Sequence, residues 1–299
     1  MVKKWCPVVF LTLLSLMSTF AKAEVDVLPL NSADLREMAL ESIPPWPDEM
    51  VLSGTNRHWQ KVLHEGEFVV ALYEAMPAVI DISEPYPYDE YVRVLEGSVV
   101  LTSSEGERQS YEAGDAFLVP VGWTGTWEMP TRFRELIIID RKGWEAVETM
   151  IATLFGADPE SSTGQTSVLP LLTASLKKAP LDDLPPWPQE VVLSGANKHG
   201  QKVLHSGNVV ATLYGAEAAR LSVGEPFPYD EYVLVLSGEV TLTPNSGESQ
   251  TFGAGDSFLV PKGWTGIWDM PGRYLEKIVV ETAAWNAAVE SLVPVESAP

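Results

Sequence analysis

The chain has 299 residues, 41 acidic side chains against 20 basic ones, and a net charge of −21. A surface of that sign repels phosphate backbones and anionic lipids, because affinity for both comes from Lys and Arg, so neither nucleic acid nor a membrane surface is expected as a partner. The only cysteine is Cys6, so the rest of the chain must fold on hydrophobic cores without disulfides.

Taken from the start, Lys3 and Lys4, the apolar run from Val8 to Phe20, and Ala21-Lys22-Ala23 have the order of a secretory signal cleaved after Ala23. The run is short for a bilayer span, which needs roughly 20 apolar residues. Periplasmic or secreted protein is expected, with no membrane attachment after signal removal. Loss of Lys3, Lys4 and Lys22 takes the charge to −24.

Beyond Ala23 the chain is a duplication with one constant offset of 141 residues and no gap. Ile43-Pro44-Pro45-Trp46-Pro47 returns as Leu184-Pro185-Pro186-Trp187-Pro188, and Gln60-Lys61-Val62-Leu63-His64 as Gln201-Lys202-Val203-Leu204-His205. Pro87-Tyr88-Asp89-Glu90-Tyr91-Val92 returns from Pro228 to Val233, and Gly122-Trp123-Thr124-Gly125 as Gly263-Trp264-Thr265-Gly266. Two equal domains are expected, over 24–155 and 167–299, joined by a Ser-, Thr- and Gly-rich linker over 156–166.

Within the first copy, period-two alternation predicts strands over Phe68 to Glu74, Glu90 to Leu95, Ser98 to Thr102, Ala116 to Val119 and Leu136 to Ile139. Turn signals separate them, such as Glu96-Gly97, Ala113-Gly114-Asp115 and Val121-Gly122. Helical periodicity is confined to Trp144 to Phe155 and its counterpart, Ala284 to Leu292. Many short strands with regular turns define an all-β sandwich or barrel with short flanking helices.

Two strand–turn signatures carry a family resemblance. Glu90 and Gly97, with six residues between them, and likewise Glu231 and Gly238, resemble the end of the first cupin motif. Gly114, Pro120 and Gly122, with Gly255, Pro261 and Gly263, resemble the second. Tyr86-Pro87-Tyr88-Asp89-Glu90 and Gly122-Trp123-Thr124-Gly125-Thr126-Trp127 further resemble the (S)-ureidoglycine aminohydrolase-type cupin domain. The resemblance implies two tandem jelly-roll barrels that pair within one chain. It also implies metal ligands, usually His, His and Glu from the first motif and His from the second. Here those positions hold Glu84, Tyr86, Glu90 and Gly125, then Glu225, Phe227, Glu231 and Gly266. Against the aminohydrolase pattern of Glu, His, His and Gln, only Glu84 and Glu225 match.

Residue by residue, Glu84, Tyr86, Glu90 and Val92 share parity, so a regular strand would send both carboxylates into a hollow. Trp127 and its mate Trp268 would supply a flat apolar wall on the same hollow, opened by the small Gly125. Glu84, Tyr86, Glu90 and Trp127, with Glu225, Phe227, Glu231 and Trp268, are therefore the candidate ligand-binding residues. Glu84, Tyr86 and Glu90 are also candidate ligands for a divalent metal in the first barrel. His58, His64, His199 and His205 lie off both motifs, at a cavity or at a rim. The leading expectation is a small polar organic ligand bound without catalysis. The alternatives are a metal-dependent aminohydrolase-like enzyme acting on small nitrogenous or carboxylated metabolites, and an interaction protein with filled barrels.

Overall fold

A computed structural model describes residues 26–145, 167–245 and 247–292. The segments expected as a signal sequence and as a linker over 156–166, with most of the helix expected over 144–155, lie outside the described residues. Residues 141–145 are helical, as is Thr282–Leu292 at the corresponding place in the second copy.

Each copy folds as two antiparallel sheets. The first domain has a seven-stranded sheet in the order Leu169–Pro170, Ala116–Val119, Glu90–Glu96, Phe133–Asp140, Phe68–Ala75, His58–Glu65 and Glu41–Ser42. Its five-stranded sheet runs Val51–Gly54, Ala78–Ile82, Gly125–Met129, Ser98–Ser103 and Arg108–Glu112. The second domain repeats both sheets at the same offset. The two sheets of a domain share no ladder, so the jelly roll is a sandwich whose packed interior lies between its faces.

Three apolar layers result. One fills each sandwich, and the third lies between the two seven-stranded sheets, where Phe68, Leu72, Tyr91, Leu136 and Ile138 meet Val209, Leu213, Tyr232, Leu236 and Val279. This middle layer explains why Phe133–Asp140 is buried along its whole length: one face lines the first sandwich and the other the interdomain layer. A strand covered on both sides reads as a continuous apolar run.

The edges of the seven-stranded sheets are exchanged. Leu28 and Pro29 pair with Leu259 and Phe258 of the second domain, while Leu169 and Pro170 pair with Leu118 and Phe117 of the first. Each short arm thus completes the other domain's sheet, although the duplication groups it with its own. Pro29 and Pro170 suit an outermost strand, where no further ladder needs their missing N–H.

The interdomain layer also buries cations. Arg93 donates to Ser257 Oγ and to the Gly255 carbonyl, both at 2.7 Å. Lys277 is wholly buried, lies 4.7 Å above the Tyr91 ring, and its Nζ has no hydrogen-bond partner among the described residues. Burial first, and then Arg93, pushes its pKa well below the usual lysine range. The same position in the first domain is Leu136. Lys277→Leu is therefore expected to raise unfolding free energy by about 1–3 kcal/mol, the cost of an unsatisfied buried polar group, as read by urea denaturation.

Candidate functional site

The strand at the first motif begins at Glu90, preceded by bends and loop. The alternation read across 84–90 therefore does not hold. Pro85 and Pro87 keep the segment out of the ladder, and Glu84 and Glu225 are exposed. Glu90 and Glu231 begin regular strands and are buried. Tyr86 folds back over the sandwich interior, and its hydroxyl donates to Glu90 Oε2 at 3.0 Å.

The second carboxylate comes from elsewhere. Glu135 in Phe133–Asp140 has the same inward parity as Ile137 and Ile139, which line the first interior, and it stands across the ladder from Tyr73 and Val94. Glu276 is its mate in the second domain. Each interior therefore holds a buried carboxyl pair, Glu90 with Glu135 and Glu231 with Glu276. Desolvation raises all four pKa values. Glu90 is pushed up to about 7, with the Tyr86 hydrogen bond pulling the other way. Glu135 goes well above the carboxylate range, through burial and then the Glu90 charge. In the second domain Glu276 is pushed up to about 8 while Tyr274 restrains it, and Glu231 goes higher, through burial and then Glu276. Like charges in an apolar interior cannot both ionise cheaply, so each pair retains a proton near neutrality.

Tyrosines surround the pair. The Tyr73, Tyr86 and Tyr88 hydroxyls all have raised pKa values, from burial first and then the two glutamates. Tyr73 accepts from Trp46 Nε1 at 3.2 Å, and Trp46 stacks on His58 at 5.4 Å between ring centres. Burial lowers the His58 pKa. Trp46, His58 and Tyr73, with Ile80 and Met129, line a small cleft of about 10 Å³, room for about one water molecule. The cleft thus reaches the interior beside Tyr73, whose ladder neighbour is Glu135. Sequence reasoning missed Glu135, Glu276, Tyr73 and its mate in the second domain, Tyr214. A glutamate at the same place in both copies, beside the apolar run Leu136 to Ile139 and its counterpart, was the available signal.

Trp127 and Trp268 are buried in the interior layers, against Phe117 and Phe133 in one domain and Phe227 and Phe258 in the other. Gly125 does not open space beside them. A Cβ there would lie 2.2 Å from the Thr102 carbonyl and 2.8 Å from the Trp123 ring, and Gly266 is equally confined. The glycines are required by close approach of backbone and indole, and Trp123 fills the place of the missing ligand. Trp123 Nε1, Trp127 Nε1 and Glu135 Oε2 make no hydrogen bond to described residues, leaving polar capacity inside the first sandwich.

His199 stacks on Trp187 as His58 does on Trp46, whereas His64 and His205 serve the domain interface. His64 Nε2 lies 2.9 Å from Asp230 Oδ2, and His205 Nε2 lies 2.7 Å from Asp89 Oδ2. Asp89 also accepts from Val121 N at 2.9 Å and Asn208 N at 2.6 Å, and Asp230 from Lys262 N at 2.8 Å and Glu67 N at 2.9 Å. Gly66 and Gly207 make room for these aspartates, since a Cβ at either would fall within 2.0 Å of the facing carboxylate oxygen.

Among the described residues, no group of three or more His, Cys, Asp or Glu side chains could hold a metal ion. The set read as Glu84, Tyr86 and Glu90 is broken by the exposure of Glu84, and the buried pair offers two carboxyls, one protonated, with phenols around them. That donor set does not fit the imidazole-rich centre the family resemblance implies.

The EutQ-like cupin domain profile matches residues 65–135 and again 206–278. A protein of unknown function from Pseudomonas syringae pv. tomato has a similar structure at TM-score 0.62 and 18% identity, over 86% of this chain and 100% of that one. A cupin 2 conserved barrel domain protein from Leptotrichia buccalis gives TM-score 0.47 and 14% identity, over 81% and 100%. Salicylate 1,2-dioxygenase from Pseudoaminobacter salicylatoxidans gives TM-score 0.49 and 13% identity, over 92% and 86%. At these identities the likeness concerns the fold. No curated protein matches the sequence.

Proposed function

The chain carries two tandem EutQ-like cupin domains, and on that premise we propose that it is an exported receptor for a small polar organic molecule. The export reading rests on the first 23 residues alone. The observation that carries the binding reading is the buried Glu90–Glu135 pair, one member holding a proton, behind the Trp46–His58–Tyr73 cleft. Together the pair offers an acceptor and a donor, the complement of a ligand with a donor and an acceptor side by side, such as an amide, ureide or hydroxy acid. The cleft has room for about one water molecule, about 10 Å³, so a small ligand enters only as the Trp46–His58 stack moves aside. Catalysis is not required by this arrangement.

A panel of such compounds, screened by calorimetry, tests the reading. Glu90→Gln is expected to weaken the best binder about 10- to 100-fold, the worth of a charge-assisted hydrogen bond of roughly 1.5–3 kcal/mol. Wild-type affinity for a donor-bearing ligand rises as the pH passes about 7, where Glu90 ionises. No binding by any panel member, with Glu90→Gln leaving the melting temperature unmoved, would favour filled sandwiches instead. A second reading has one observation in its favour: a carboxyl poised near neutrality beside a protonated one suits proton transfer. Turnover of a bound panel member, lost in both Glu90→Gln and Glu135→Gln, would establish it.

A further inference from the structure

Among the differences between the two interiors, two beside the carboxyl pairs are reciprocal. Where the first domain has Tyr86 and Phe133, the second has Phe227 and Tyr274 at the same offset. In the first, the Tyr86 hydroxyl donates to Glu90 Oε2 at 3.0 Å. In the second, Phe227 has no hydroxyl, and the Tyr274 hydroxyl donates instead to Glu276 Oε2 at 2.5 Å. Glu276 is the mate of Glu135, not of Glu90. The phenol has moved from a loop to a strand, and from one glutamate of the pair to the other.

We infer that the two domains hold the same carboxyl pair in opposite polarity. Tyr86 fixes Glu90 as the accepting carboxylate of the first, Tyr274 fixes Glu276 as that of the second, and Glu135 and Glu231 carry the protons. A phenol that donates to one carboxyl stabilises its ionised form and leaves the proton on the other. The raised pKa values run in that order, Glu90 and Glu276 being restrained by their tyrosines. The inference rests on the receptor reading for its consequence: a ligand with one donor and one acceptor sits reversed in the second domain relative to the first. Tyr86 and Tyr274 are then the specificity-determining residues, and the two sites take different members of one ligand class.

Other groups facing each pair do not set this order. Tyr73 and Tyr88, like Tyr214 and Tyr229, occur in both domains, as do His58 and His199 on Trp46 and Trp187. The five-stranded sheet faces the first pair with Ile80, Leu101, Trp127 and one titratable group, Tyr111, which is stacked on Phe117. Its counterpart Phe252 is not titratable.

Full-length protein carrying carboxyl-¹³C glutamate, titrated by NMR with Glu90→Gln, Glu135→Gln, Glu231→Gln and Glu276→Gln for assignment, reads the order without any ligand. Glu90 should titrate below Glu135, and Glu276 below Glu231. In Tyr86→Phe/Phe133→Tyr, which installs the second domain's arrangement in the first, Glu135 should become the lower member. Should that variant fail to fold, Tyr86→Phe alone should raise the Glu90 midpoint by about one pH unit. The inference is overturned if Glu90 and Glu231 titrate first in both domains, or if removing the Tyr86 hydroxyl moves neither midpoint. A panel that finds no ligand would defeat the receptor reading and leave this titration order standing.

Discussion

Asp89→Ala should remove about 3–5 kcal/mol of unfolding free energy, because it strips several buried donors of their one acceptor. Asp89 is fully buried and accepts from three donors belonging to two domains: Val121 N, Asn208 N and His205 Nε2. Alanine leaves both amides without an acceptor, each costing about 1–3 kcal/mol if it stays dry. Asp230→Ala should behave alike through Lys262 N, Glu67 N and His64. Burial acts to raise both aspartate pKa values, but the donors outweigh it, and both end below the usual range. A carboxyl depressed in this way contributes stability above its unfolded pKa and loses it as pH falls through the folded one. Wild type should therefore show an acid limb in urea midpoints below about pH 4, diminished in either variant. A loss under about 1 kcal/mol in Asp89→Ala would reduce the contact to a surface-grade ion pair.

Deleting residues through Leu30 should be nearly as damaging, and in the other domain from the one it precedes. Val27 and Leu30 are buried, each worth roughly 1.5–3 kcal/mol of apolar transfer. The Leu30 amide and the Ser257 carbonyl would lose their bond, and Ser257 Oγ its acceptor at the Leu30 carbonyl. Hydrogen exchange is the direct measurement: amides of Ser257–Val260 should lose protection while those of Ala116–Val119, covered by Leu169–Pro170, keep theirs. The bared edge should also self-associate with rising concentration, since an unpaired strand is a template for pairing. Equal loss in both domains would mean that the exchange of arms is not what completes the sheet.

Much of this architecture is legible in the residues. Gap-free repetition defines two copies, and apolar runs set between turn signals locate the strands from Phe68 to Val119, of which only Ser98–Ser103, in the one-sided sheet, alternates in burial. The exchange of arms is not legible: Val27-Leu28-Pro29-Leu30 looks the same whichever domain it pairs with. Half the site was visible as well. Glu90 stands at the end of a family motif, but its partner does not. Parity across 84–90 pointed to Glu84, and two prolines void parity by keeping that segment out of the ladder. Glu135 was concealed by a strand buried on both faces, where the alternation that marks an inward side chain is erased. The Tyr86–Phe227 and Phe133–Tyr274 reversal could be read by setting the copies side by side, but only the structure joins these positions around one carboxyl pair.

The crossed arms also constrain how the chain acquires its shape. Leu28 is among the first of the described residues made, and its ladder partner, Leu259, among the last. The second sandwich stays open on one side until the chain's beginning returns to it across more than two hundred residues. Closing so long a loop is slow, so the second sheet is completed late, whereas the first is completed by Leu169 meeting Leu118 and can mature ahead of its sibling.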